Sequence, residues 1–165
     1  YKRQGIRGFD ERAAFEAMKH SASRDHFGLD HYRELGFIPS GLEGESVSKT
    51  LEYAFDDWCI AQVANELGEE DDYLAFIQRA QSYKNLFDPR TGFMRARMNG
   101  GWYEPFDPAE VNFNYTEANS WQYSFYVPQD VEGLIRLMGG PDLFAGKLDE
   151  LFETCLLYTS PSPRD

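Results

Sequence analysis

Residues 115–123, Tyr-Thr-Glu-Ala-Asn-Ser-Trp-Gln-Tyr, set one carboxylate, Glu117, among aromatic rings and side-chain amides. No lysine or arginine lies within ten residues of Glu117 on either side, so nothing nearby in sequence neutralises it. A carboxyl desolvated by rings keeps its proton to higher pH, which suits a general acid. Aromatic faces beside it match the C–H faces of a sugar ring, and Asn119 and Gln122 can both donate to and accept from hydroxyls. The bland alternative is a packed core with a helix cap, and Glu117 turned to water. On residue types alone that alternative is the commoner use of such a cluster.

The neighbourhood adds weight to a site. Nine aromatic residues fall between Trp102 and Tyr126. Other acidic groups have ordinary uses. Asp56 and Asp57 fit a solvated helix face or a bond to a neighbouring loop. Glu43 and Glu45 precede a long helix, whose positive end favours carboxylates. The run Glu69–Asp72 reads as a solvated helix start. His20, His26 and His31 carry no metal-binding spacing and read as surface or loop residues. Cys59 falls on an apolar stripe and reads as core. Asn114-Tyr115-Thr116 fits the N-glycosylation pattern, but a glycan there would crowd the proposed pocket, so the match reads as accidental.

A formal charge of −12 argues against nucleic acid, whose phosphates need a basic face. No apolar run is long enough for a membrane span. The chain opens on Tyr1, so a secretion signal would lie ahead of it, and a periplasmic or extracellular location is expected.

Several elements must hold these residues in place. Periodicity predicts a helix over 9–23 and a long one over 46–67, with Val47, Leu51, Ala54, Phe55, Trp58, Cys59, Val63 and Leu67 as its stripe. Residues 24–45, broken by glycines and Pro39, read as a loop with a short extended piece. A helix is predicted from Asp71 to about Phe87, ending at the DPRTG turn. Residues 92–114 read as loops with a short hairpin, and 116–126 as helical. Asp130 caps a helix stopped by Gly139, and Pro141 opens a last one. Helices joined by long loops, without βαβ alternation, predict an all-α fold.

Three blocks carry a resemblance. They are GFIPSGLEGESVSKTLEYAFDDWCIAQVA, NLFDPRTGFMRARMNGGW with PFDP, and YTEANSWQYSFYVPQDVEGLIRLMGG. Together they resemble the glycoside hydrolase family 92 α-mannosidases, in order from about Gly5 to Phe152. Against the family's usual YTEGNSWQYSWFVPHDV, this chain has Ala118, Phe125-Tyr126 and Gln129 at the differing positions. The resemblance implies a calcium-dependent exo-α-mannosidase that inverts the anomeric centre, with a catalytic (α/α)6 barrel behind a β-sandwich. It implies that this chain is part of that barrel, with long loops at the helix ends. Glu117 then maps onto the general acid, and Asn119, Trp121 and Gln122 onto the pocket beside it.

The family's later acidic block and its GNEPSHH block do not occur here. The base and most calcium ligands are therefore expected downstream, and this chain alone is expected to be inactive. A non-catalytic sugar-binding helical domain is the alternative, while a helical repeat scaffold would show a period that these unequal helices lack. Residues 155–165 (CLLYTSPSPRD) back-translate into a string resembling a sequencing-library adapter. They read as a non-native tail, with the native catalytic piece spanning residues 1–154.

Overall fold

A 22-residue helix, α3 (Ser46–Leu67), is the axis on which the other elements are assembled. The computed structural model describes residues 8–98 and 100–158. Helix α1 (Glu11–Ala22) begins where Asp10 accepts from the Ala13 amide at 3.0 Å. Helix α4 (Glu70–Arg79) follows α3 after Gly68, whose left-handed conformation (φ 77°) stops the long helix. Both helices pack on the C-terminal half of α3, where Phe15 and Phe76 meet Ile60, Ala61 and Ala64. Two of the acidic residues expected to be merely solvated reach α1: Glu69 pairs with Arg12 (2.7 Å) and Asp72 with Lys19 (2.8 Å).

The buried stripe of α3 differs from the expected one. Val47, Thr50, Leu51, Ala54, Asp57, Ala61 and Ala64 face inward, while Phe55, Trp58 and Cys59 are only half-buried. Asp57 is the reason a polarity-based reading misses this face. Its carboxylate is bound in a fork by Arg79 Nε (3.0 Å) and Nη2 (2.9 Å), and it accepts from Tyr32 Oη at 2.8 Å. Burial pushes its pKa up to about 6, against the opposing pull of Arg79 and Tyr32. A solvated face is thus corrected, for Asp57, to a buried tie between three helices.

Tyr32 belongs to a helix where a loop was expected, α2 (Leu29–Leu35). Seven residues are too few for periodicity to register. Gly28 (φ 75°) and Gly36 (φ 72°) frame it in left-handed conformations, and Leu29 and Tyr32 pack on Ile38. The helix predicted to run on to Phe87 breaks at Ala80. It is replaced by a 3-10 turn over Ser82–Leu86, which puts Tyr83 and Leu86, three apart, on one buried side.

Two short antiparallel hairpins follow. Strand β1 (Phe87–Asp88) pairs with β2 (Phe93–Met94) across the expected turn, and β3 (Arg97–Met98) pairs with β4 (Gly101–Trp102). The predicted helix over 116–126 shrinks to one turn, α5 (Ser120–Tyr123). Helix α6 (Val131–Leu137) is capped by Asp130, which accepts from the Gly133 amide at 2.9 Å. Helix α7 (Pro141–Tyr158) extends past its expected end, because nothing before Pro161 breaks a helix. The Ser/Pro stretch itself, residues 159–165, lies outside the described residues. The architecture is predominantly helical, and the hairpins sit in its long loops. Among the described residues no helix is long and apolar enough to cross a membrane.

Candidate active site

The first amides of a helix have no partner inside it, and at α3 a loop supplies partners. Glu45 N–H donates to the Phe113 carbonyl (2.6 Å) and Val47 N–H to that of Asn114 (3.1 Å). Ser48 Oγ accepts from the Thr116 amide at 2.7 Å. Asn114 Oδ1 accepts from the hydroxyls of Ser40 and Ser46. Asn114 is buried in this network, so its side chain is not available for a glycan and the accidental reading of its motif fits.

This docking fixes the residue that follows Thr116. Glu117 is exposed and adopts φ 50°, one of three non-glycine residues with positive φ among those described. Glu45, on the facing side of the junction, is another (φ 57°). Such conformations cost roughly 1 kcal/mol or more and persist only where surrounding contacts enforce them. The chain's own aromatics do not enclose the Glu117 carboxyl. They form a floor along the segment that carries it, with Tyr123 Oη 3.5 Å from the Thr116 carbonyl.

That floor is well tied. Tyr115 Oη (2.9 Å) and Ser120 Oγ (2.7 Å) both donate to the Met94 carbonyl, while Ser124 Oγ accepts from the Met94 amide (2.8 Å). Asn119 caps α5 and forms a reciprocal pair with Gln122: Gln122 N–H donates to Asn119 Oδ1, and Asn119 N–H donates to Gln122 Oε1. Asn119 Nδ2 also donates to the Ala109 carbonyl at 3.2 Å. Trp121 is buried, edge-on to Phe93 (4.6 Å between centroids), with the Lys147 ammonium 4.5 Å above its ring. The four residues singled out in sequence therefore divide. Asn119 and Trp121 are committed to holding the turn, whereas Glu117 and Gln122 are exposed, the latter with its Oε1 engaged by the turn.

A second set of residues was not readable as a group from the sequence. Tyr123 Oη lies 3.4 Å from Glu52 Oε1 and 3.5 Å from the Thr116 carbonyl, one residue before Glu117. Tyr115, Tyr123, Tyr126, Phe55 and Trp58 form a continuous row of ring contacts with centroids 6.1–6.5 Å apart. Glu52 and Asp56 share this side of α3, and neither meets a cation among the described residues. Burial raises the pKa of Asp56, and it raises that of Glu52 against the hydrogen bond from Tyr123. The signal was structural: Glu52 and Asp56, one helical turn apart, become neighbours of Tyr123 and Tyr126 respectively only once the loop folds back. Gln129, one of the positions that depart from the family pattern, is turned inward, and its Nε2 donates to the Ala80 carbonyl at 3.4 Å.

Comparisons with known proteins agree on one family. A family GH92 α-mannosidase from Bacteroides thetaiotaomicron, BT3965, superimposes with a TM-score of 0.86 at 50% identity, over 90% of this chain and 20% of that one. In its structure with mannoimidazole the TM-score is 0.85 at 46% identity, over 98% of this chain and 22% of that one. The inverting mannosidase BT2199 of the same organism gives 0.84 at 38% identity, over 88% and 21%. A protein of Arthroderma benhamiae described as an uncharacterized secreted glycosidase is 28% identical over 82% of this chain and 22% of its own length. The chain thus spans about a fifth of the length of these relatives. With residues 1–161 matching the glycosyl hydrolase family 92 catalytic domain, the chain belongs to that family.

Proposed function

We propose that this chain is the part of an exo-α-mannosidase that carries the general acid, within an (α/α)6 barrel completed by the rest of the protein. Glu117 gives its proton to the glycosidic oxygen as the bond from the terminal α-mannose to the leaving sugar breaks. Water attacks the anomeric carbon from the opposite face, and a second carboxylate takes its proton, releasing mannose with inverted configuration. Inversion needs that carboxylate roughly 6.5–9.5 Å from the acid. It belongs to the acidic block that this chain lacks.

The observation that carries this reading is the placement of Glu117, held outward at φ 50° beside a row of rings. A carboxyl so presented is half of a site, and enclosure by the remaining protein would supply the dry surroundings that keep it protonated. Gln122 has both Nε2 hydrogens left to bind a sugar hydroxyl. Asn119 and Trp121 act from behind, by fixing the turn. The substrate is a glycan ending in α-linked mannose, such as an N-glycan, met outside the cytoplasm, as the secreted fungal relative suggests.

Calcium is the cofactor that family membership suggests. Among the described residues no three His, Cys, Asp or Glu side chains stand close enough to hold a metal ion. The ligands of a calcium ion would come mainly from beyond Phe152. No step above runs through it.

The reading is tested by following the full-length protein on an aryl α-mannoside by proton NMR. β-Mannose should appear first and then mutarotate. Initial α-mannose, or binding without turnover, would overturn the inverting mannosidase.

A further inference from the structure

We propose that the groove beside the β3–β4 hairpin binds a sugar carrying an anionic group. The groove has a volume of about 550 Å³, and its walls include Lys84, Asn85, Phe87, Arg90, Arg97 and Trp102. The whole chain has 28 acidic residues against 16 Lys and Arg. Three of those 16 converge here, and no carboxylate lines the groove.

These cations are only partly neutralised, Lys84 by the nearby charge of Asp130. Lys84 and Arg97 form no ion pair among the described residues. Arg90 Nε is 3.4 Å from Asp88 Oδ1, but that carboxylate is already held by buried Arg95, whose Nη1 lies 2.7 Å from Oδ2. Arg97 is also fixed in place. Its guanidinium lies 4.4 Å over the Phe37 ring and 5.5 Å from that of Trp102, and Nη1 donates to the Asn85 carbonyl at 3.2 Å. Arg97 is half-buried, which is unlike a solvated surface charge.

Clustered cations repel one another, and a bound anion relieves the repulsion through charge-assisted hydrogen bonds. Trp102 supplies a half-buried apolar wall within reach of the same guanidinium. A flat ring beside a fixed cation fits a pyranose face bearing a phosphate or a uronic carboxylate. The choice of a sugar as carrier rests on the glycosidase reading, whereas the affinity for an anion does not.

The test is a calorimetric titration of the full-length protein with glucose 6-phosphate, glucuronate, inorganic phosphate and glucose. Glucose-based probes avoid confusion with the mannose site. At least one of the two anionic sugars should bind tenfold or more tightly than glucose, and which one does identifies the anion. The double variant Lys84→Glu/Arg90→Glu, at two exposed positions, should lose at least tenfold of that affinity, with hydrolysis of a neutral aryl mannoside unchanged. Trp102→Ala should weaken the anionic sugar but not inorganic phosphate. Equal affinity for glucose, no effect of the charge reversals, or phosphate binding as tightly as its sugar ester would overturn the proposal. Loss of mannoside hydrolysis in the unmutated protein would count against the mannosidase, not against this groove.

Discussion

Around the C-terminal half of α3, Ile60, Ala61 and Ala64 pack against Phe15 of α1 and Phe76 of α4. Around its N-terminal half, loops rather than helices cover much of the surface, and Ser46, Ser48, Asn114, Ser120 and Ser124 are buried with hydrogen bonds. One half is held by apolar contact, which tolerates small shifts. The other adds, to an apolar cluster around Val47, Leu51 and Ala54, a layer of directional bonds, which fix single positions to a few tenths of an ångström. Such precision is what a proton-transferring group needs. The two non-glycine residues strained at this end, Glu45 and Glu117, lie where the loop meets the helix.

The comparison is most strongly challenged by Phe15→Ala. Emptying the apolar half should cost roughly 3–5 kcal/mol locally. In the full-length protein, hydrogen exchange should then speed up by a factor of roughly 10²–10⁴ in α1 and the second half of α3. Activity per folded molecule should stay near that of the unmutated protein. Slow exchange with lost activity would mean the halves are not separable.

Asp57 joins the two halves and gives the next effect. Its folded pKa of about 6 stands above the ordinary value near 4, so the folded state binds the extra proton between those pH values. Its contribution is fully present below about pH 4 and is lost as pH rises through 6, a change of up to roughly 3 kcal/mol. Protection of α3 amides, corrected for intrinsic exchange, should therefore fall from pH 4.5 to 7, and Asp57→Asn should flatten that dependence. The same slope in the variant would sink the assignment.

Ser48→Ala should act at the other end and more gently. Losing the bond to the Thr116 amide costs about 1 kcal/mol, yet it frees the segment that fixes Glu117. Turnover should drop several-fold with little change in global melting. An unchanged kcat would show that this bond does not position the acid.

How much of this was legible in sequence follows the same division. Helices α1, α3, α6 and the start of α7 are marked by periodicity and by caps such as Asp130 and Pro141, which act within a few residues. Helix α2 and the break at Ala80 are not, because burial of Tyr32 and Tyr83 against distant segments decides them. Glu117, Asn119 and Gln122 were readable as one contiguous block. Glu52 and Tyr123 were not readable as a pair, since they are far apart in sequence and meet only when the loop docks on α3. Asp57 hid for the opposite reason: a charged residue reads as exposed unless its partners, Arg79 and Tyr32, are known.

The central claim, that the directionally bonded end of α3 presents Glu117 as the general acid, is tested most directly by Glu117→Gln in the full-length protein. Two substrates should be compared, an unactivated mannoside and one whose leaving group departs without a proton. Turnover of the first should fall by roughly 10²–10⁴, the usual share of general acid catalysis, and that of the second much less. Equal losses on both substrates would contradict the acid role and assign the damage to structure.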